Sequence, residues 1–283
     1  MRFGFHVSIA GGLEAAVHRA QKIGCRTLQL FSRNPRGWQS KPFDRRAAQR
    51  FRQLTLQYDI RPVFVHLPYL PNLAAADEDL YERSVRVLCD DLWRAEQLGA
   101  AGLVLHLGHR NSALPERALL QVAHAINKAC TKVESTPLLL LENAAGQGSE
   151  VGSSFSELQE IMDLVSYPER IGLCLDTAHA FAAGYNVRTA KGLATMLDEI
   201  ERRIGLQRLR LIHLNDAKAP CGSRIDRHWH IGKGCIGTTG MRRIISHPLL
   251  TTLPAIMETP KKGENDDVEN MKAVLRLARG IFH

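Results

Sequence analysis

The sequence predicts an α/β fold, a single (β/α)8 TIM barrel spanning residues 1–283. Three observations lead there. Eight short β-rich apolar runs recur along the chain, an amphipathic stretch follows most of them, and no linker or shift in composition divides the whole. A doubly wound open sheet is the competing arrangement. It would carry a G-x-G-x-x-G turn after its first strand, and Ser8-Ile9-Ala10-Gly11-Gly12 is not one.

The runs are 3–7, 27–31, 62–66, 102–107, 138–142, 171–176, 209–214 and 255–258. Each is four to six residues long and rich in Val, Leu, Ile and Phe, as a strand buried on both faces requires. The segments 12–23, 43–57, 77–98, 115–133, 156–165, 188–204 and 268–279 space their apolar residues by three and four, the period of a helix with one buried face. Between the seventh and eighth runs the sequence reads as a long loop.

Composition removes several classes of function. An apolar fraction of 45% without a dominant charge block argues against disorder. No apolar run approaches the roughly 18–20 residues of a membrane span. The opening Met1–His6 stretch has no apolar leader, so the expectation is a soluble cytoplasmic protein, read as a monomer with no membrane partner. The six cysteines form no C-x-x-C pair, which disfavours both a disulfide framework and a thiolate metal cluster. The 37 Lys and Arg exceed the 29 Asp and Glu by eight, a weak pointer to a polyanionic partner such as nucleic acid.

The sharper signal is where the metal-type residues fall. His66, His106, Glu142, Asp176, His213 and Glu258 close, or nearly close, six consecutive strand runs. In a parallel barrel all those ends open on one mouth. Carboxylates crowded there repel one another unless a cation sits among them. Imidazole plus carboxylate suits zinc, manganese or iron. His179 lies three residues past Asp176 in the following loop, and Asp226 and His228 stand two apart, on one side of an extended segment. Nine ligands suit about three ions, with one bridging carboxylate. Three divalent ions outweigh the four carboxylates by two charges, which fits a phosphodiester substrate.

Around that mouth, Ser32-Arg33-Asn34-Pro35-Arg36-Gly37-Trp38 reads as a loop for phosphate contact and stacking. Tyr69 and Leu70 follow His66 as a pair able to wedge into a base stack. The turn 143–149 offers glycines for a phosphate cradle, while Lys218, Arg224, Arg227 and Arg110 add positive charge to the rim. Of the other histidines, His6 points at the same mouth and is read as a support or DNA contact. His109 and His230 merely neighbour ligands, and His18, His124, His247 and His283 are read as structural.

At these residues the sequence closely resembles the endonuclease IV family of abasic-site DNA repair enzymes. The matching stretches include His6-Val7-Ser8-x-Ala10-Gly11-Gly12, Asn34-x-Arg36-x-Trp38, Leu141-Glu142-Asn143-x-Ala145-Gly146-Gln147-Gly148 and Asp176-Thr177-x-His179 through Tyr185. They continue with His213 through Lys218, and with Gly222 through Gly237, which holds Asp226 and His228. The resemblance implies a TIM barrel with three zinc ions that cuts the phosphodiester 5′ of an abasic site in duplex DNA by a zinc-held hydroxide. It would leave a 3′-hydroxyl and a 5′-deoxyribose phosphate, and would also clean blocked 3′ ends. It implies His66, His106 and Glu142 for one zinc, the bridging and catalytic Glu142 with Asp176, His213 and Glu258 for the second, and His179, Asp226 and His228 for the third. Arg36, Tyr69 and Leu70 match the residues that penetrate DNA, with Asn34, Trp38 and Arg227 as further contacts. Gly37 departs from the glutamine expected there, and Pro35 varies too.

Overall fold

The chain was analysed as a computed structural model that describes residues 1–279; His283 lies outside them. Strands β1 (Arg2–His6), β2 (Thr27–Phe31), β3 (Val63–His66), β4 (Gly102–Leu105), β5 (Leu138–Glu142), β6 (Ile171–Asp176) and β7 (Leu209–His213) belong to one sheet. Two short strands, β8 (Asp216–Ala217) and β9 (His228–Trp229), form a separate antiparallel ribbon before β10 (Pro254–Met257) closes the sheet. The closed order is β1-β10-β7-β6-β5-β4-β3-β2, and every pairing in it is parallel. The (β/α)8 expectation therefore holds. Three strands begin and end where the sequence places them, and the other five shift by one or two residues.

Helices α1 (Leu13–Ile23), α2 (Arg45–Gln57), α3 (Glu78–Leu98), α4 (Pro115–Lys132), α5 (Phe155–Asp163), α7 (Ala190–Arg203) and α9 (Asp266–Arg279) match the seven amphipathic segments. Their starts are chemically marked. Asp44, Asp77, Ser154 and Thr189 cap α2, α3, α5 and α7 through side-chain oxygens that accept first-turn amides. Each helix lays its apolar stripe on the sheet; α3 buries Leu88 and Leu92 completely, at roughly 1.5–3 kcal/mol for each such side chain.

Two helices escape the sequence reading. α6 (Thr177–Ala183) occupies what reads as a loop after β6, and α8 (Gly237–Ser246) lies inside the long connection to β10. The first is marked all the same: Asp176 caps it, alanines fill it and Gly184, at φ 114°, ends it. The second opens on Gly-Thr-Thr-Gly, weak helix formers, and is held by the packing of Met241, Ile244 and Ile245. At Gly240 a Cβ would come within 2.7 Å of the Ile236 side chain and 3.1 Å of Arg188 Cα.

Inside the barrel, Phe64, Val104, Leu140, Cys174, Leu211 and Ile256 form a buried apolar layer, one residue from each of six strands. At the same level β1 and β2 approach so closely that a Cβ on Gly4 would meet Thr27 O at 1.8 Å. Side chains alternate faces along a strand, so the residues two positions further on also face the interior, one layer nearer the mouth.

Candidate active site

Counting two residues on from that layer gives His6, Gln29, His66, His106, Glu142, Asp176, His213 and Glu258, one per strand. The sequence exposes six of these as ligands and directs His6 to the same mouth. The structure completes the ring with the fully buried Gln29, a residue that no metal-type pattern singles out. The ring floors an open cavity of about 500 Å³ whose lining includes His6, Tyr69, His179, Asp226, His228 and Glu258.

Glu142 lies at the centre. One carboxylate oxygen is 3.4 Å from His66 Nε2 and 3.2 Å from His106 Nε2; the other is 2.9 Å from His213 Nδ1 and 3.4 Å from His179 Nδ1. Glu258 Oε2 is 3.2 Å from His213 Nδ1, and Asp176 Oδ2 is 4.0 Å from it. Asp226 Oδ1 lies 3.2 Å from His179 Nε2 and 3.5 Å from His228 Nε2. The nine residues thus lie together, as the groups His66–His106–Glu142, Glu142–Asp176–His213–Glu258 and Asp176–His179–His228, with Asp226 beside the last two histidines. His179 stands in the first turn of α6 and not in a loop. Asp176 Oδ1 caps that helix by accepting His179 N–H at 2.7 Å, which explains the three-residue spacing.

The ring protons show which atoms are free to bind a cation. His66 Nδ1 donates to Leu67 O at 2.6 Å, His179 Nδ1 to Asn143 O at 2.9 Å and His228 Nδ1 to Glu258 O at 3.2 Å. Their Nε2 lone pairs are left facing inward, and those of His179 and His228 are only 3.3 Å apart. Asp226 Oδ1 and Asp176 Oδ2 complete a set of four acceptors there. Among the described residues, Glu142 Oε2 is buried with no hydrogen-bond partner. Acceptors converging without donors require a cation or added protons. The donor set, imidazole and carboxylate at three adjacent nodes, fits divalent ions of the zinc type.

Without such ions, protons take their place. Burial pulls the His179 pKa down, yet Asp176, Asp226 and Glu142 hold it well above the usual imidazole value. Burial pushes Asp226 up, yet His179, His228 and His106 bring it down to about 2. Cys174 falls beside Glu142 and His213, a neighbour the sequence did not suggest. Burial raises its thiol to about 12.

A supporting shell orients the carboxylates. Asn215 Nδ2 donates to Asp176 Oδ2 at 2.6 Å while its Oδ1 accepts Glu258 N–H; Asn143 brackets the Asp176 backbone from both sides. Buried Asp216 accepts amides of Ala217, Gly234, Ile236 and Gly237, closing the loop that carries Asp226 and His228. The turn at 143–149 is a further support, since Gln147 Oε1 accepts Asp226 N–H. Its amides at Ala144 and Gln147 donate to Gly152 O and Glu150 Oε2, which fixes the shape of the turn.

The rim needs two corrections. Arg33 is buried, donating to Asp91 Oδ1 at 2.7 Å and pairing with Asp90, so it anchors the loop to α3 and offers nothing to phosphate. Trp38 is half-buried against the core with the Arg83 guanidinium 4.4 Å from its ring centre, which covers one stacking face. Asn34 is exposed, and its Oδ1 shapes the loop by accepting Arg36 N–H. Arg36, Arg227, Tyr69 and Leu70 are exposed as expected, with Tyr69 at 69%. His109 and His230 stay out of the cluster: His230 pairs with Asn270, and His109 lies in a bridge to Glu150. Because Asp91 is completely buried, Arg33→Met is expected to cost about 3–5 kcal/mol, read from denaturant melts. A loss below about 1 kcal/mol would refute the anchoring role.

Comparison with known proteins gives the following. A family model described as a xylose isomerase-like TIM barrel matches residues 17–279. "Probable endonuclease 4" of Methanoculleus marisnigri is 48% identical over 276 residues, 97% of this chain and 98% of that protein. The protein of the same name from Chloroflexus aurantiacus is 40% identical over 282 residues, 99% of each. The crystal structure of endonuclease IV from Thermus thermophilus superposes with a TM-score of 0.86 at 38% identity, covering 100% of this chain and 99% of that one. A D-tagatose 3-epimerase-like protein shares the fold alone, with a TM-score of 0.74 at 17% identity over 100% of this chain and 98% of that one.

Proposed function

Because the chain belongs to the endonuclease IV family, we propose that it is a DNA repair endonuclease acting at abasic sites in duplex DNA. In this reading it hydrolyses the phosphodiester on the 5′ side, leaving a 3′-hydroxyl and a 5′-deoxyribose phosphate, and it removes blocking groups from 3′ ends. The observation that carries the proposal is the facing set of buried acceptors, Glu142 Oε2 and the two Nε2 atoms 3.3 Å apart, on the floor of an open basin.

His66, His106 and Glu142 would hold one zinc ion; Glu142, Asp176, His213 and Glu258 a second; and His179, Asp226 and His228 a third. Such ions, when bound, lower the pKa of a water from 15.7 to about 7 and offset the charge of a phosphodiester. The chain supplies the rest. Asn143, Asn215 and Asp216 hold the ligands in register before substrate arrives, which is the form in which electrostatic help costs least during the reaction. Four carboxylates at the floor would by themselves repel a phosphate, so the basin accepts DNA only when loaded.

Specificity comes from the rim. Tyr69 and Leu70 stand exposed beside the cavity, placed to enter the stack where a base is missing. Opening a stack costs a few kcal/mol per step and less where the base is absent. Exposed Arg36 and Arg227 lie where the flanking phosphates would run. An Arg36→Ala protein should bind abasic duplex more weakly, and the slope of log K against log salt should shrink by about 0.9. An unchanged slope would take Arg36 out of the phosphate contacts.

The decisive assay offers the zinc-loaded protein a 5′-labelled duplex with one abasic analogue and, separately, ketose sugars. Cleavage to a fragment that a polymerase extends supports the proposal. Epimerised sugar and intact duplex would replace it with a carbohydrate enzyme on the same barrel.

A further inference from the structure

Four of the histidines at this floor have one ring nitrogen fixed by an acceptor outside the carboxylate set. For His66, His179 and His228 the acceptor is a backbone carbonyl, which no side-chain substitution can remove. His213 differs. Its Nε2 meets the side chain of Gln29, with Oε1 at 2.8 Å, while its Nδ1 turns toward Glu142 and Glu258. It is also inverted relative to those three, presenting Nδ1 inward where they present Nε2.

The orientation of the Gln29 amide follows from its neighbours. Gln29 Nε2 is 2.8 Å from Glu258 Oε1 and 3.0 Å from His6 Nδ1. Flipped, the amide would set its carbonyl oxygen against a carboxylate, so the nitrogen must face Glu258 and the oxygen must face His213. That oxygen only accepts, hence His213 carries its proton on Nε2 and a lone pair on Nδ1. The amide nitrogen donates to Glu258 Oε1, and His6 Nδ1 lies against both of them, 3.0 Å from the amide nitrogen and 3.2 Å from that carboxylate oxygen. His6 Nε2 is buried, has no hydrogen-bond partner among the described residues and belongs to a ring lining the cavity.

We infer that Gln29 is a positioning residue that sets the tautomer of His213, making His213 Nδ1 the ligand atom of the central divalent site. This deepens the function proposed above and rests on it. Partners of this kind fix ring orientation and basicity, and losing one typically weakens metal binding 10–100-fold.

The test uses zinc-loaded full-length protein labelled with 15N-histidine, together with zinc affinity from a competing chromogenic chelator. Wild type should show His213 protonated at Nε2. In Gln29→Met the His213 Nε2–H signal should be lost to exchange with water, and one zinc should bind about 10–100-fold more weakly. Gln29→Glu keeps an acceptor for His213 Nε2–H and should therefore retain the His213 pattern, which keeps the inference testable even where Gln29→Met misfolds. A wild-type His213 protonated at Nδ1 overturns the inference, as does a Gln29→Met protein with wild-type zinc affinity and spectrum. Wild-type protein that takes up no zinc overturns the underlying function, and the inference with it.

Discussion

Replacing Glu142 by Gln should leave the barrel folded and reduce cleavage of abasic duplex by about three orders of magnitude or more, equivalent to about 4 kcal/mol of transition-state stabilisation. The side chain keeps its volume, so packing against Leu140 and Cys174 is undisturbed. What changes is the charge and the donor character. Glu142 places one oxygen 3.2–3.4 Å from His66 and His106 and the other 2.9–3.4 Å from His213 and His179. An amide nitrogen in either position turns a lone pair into N–H protons and separates two metal nodes that share this group. Burial tends to raise the Glu142 carboxyl pKa, but the imidazoles around it, His213 and His106 foremost, hold it well below the carboxylate range. The wild-type group is therefore an anion, and the substitution removes a full charge. Single-turnover cleavage compared with far-UV circular dichroism checks both halves. Wild-type turnover would sink the bridging role.

Stripping metal with a strong zinc chelator should abolish cleavage and lower the melting temperature, and added zinc should restore both. A ligand that binds only the folded state contributes about 4 kcal/mol when present at about 1,000 times its dissociation constant. At about 2–4 °C per kcal/mol for chains approaching this size, a shift of roughly ten degrees is expected from even one such site. The direction follows from the geometry: without cations, the inward lone pairs of His179 and His228 face two carboxylates, and protons must be taken up to satisfy them. Chelated protein that cleaves at the untreated rate contradicts this account, whatever its melting temperature.

The strands were legible because their apolar layer is short and repetitive and their polar ring follows it at a spacing of two. Reading strand ends was enough to bring His66, His106, Glu142, Asp176, His213 and Glu258 to one level. Gln29 was not legible: an amide carries no metal signal, and its partner His213 is 184 positions away. Arg33 misled for the same physical reason. In sequence it is one of two loop arginines, and the aspartates that bury it stand 57 and 58 positions away. Trp38 likewise is decided by Arg83, a contact no local pattern encodes. The missed α6 is a different kind of error, because its Asp cap, alanine run and glycine stop all lie within nine residues. Those signals were present in Asp176 through Gly184 and were read as a ligand spacing instead of a helix start.

The central claim is that nine side chains at the barrel mouth hold metal ions as a cluster. Elemental mass spectrometry of the protein as purified, scaled to chain concentration, tests it most directly. The expected result is about three zinc atoms per chain, at three to four protein ligands each with Glu142 shared. One atom per chain, or none after growth and purification with zinc present, would contradict it.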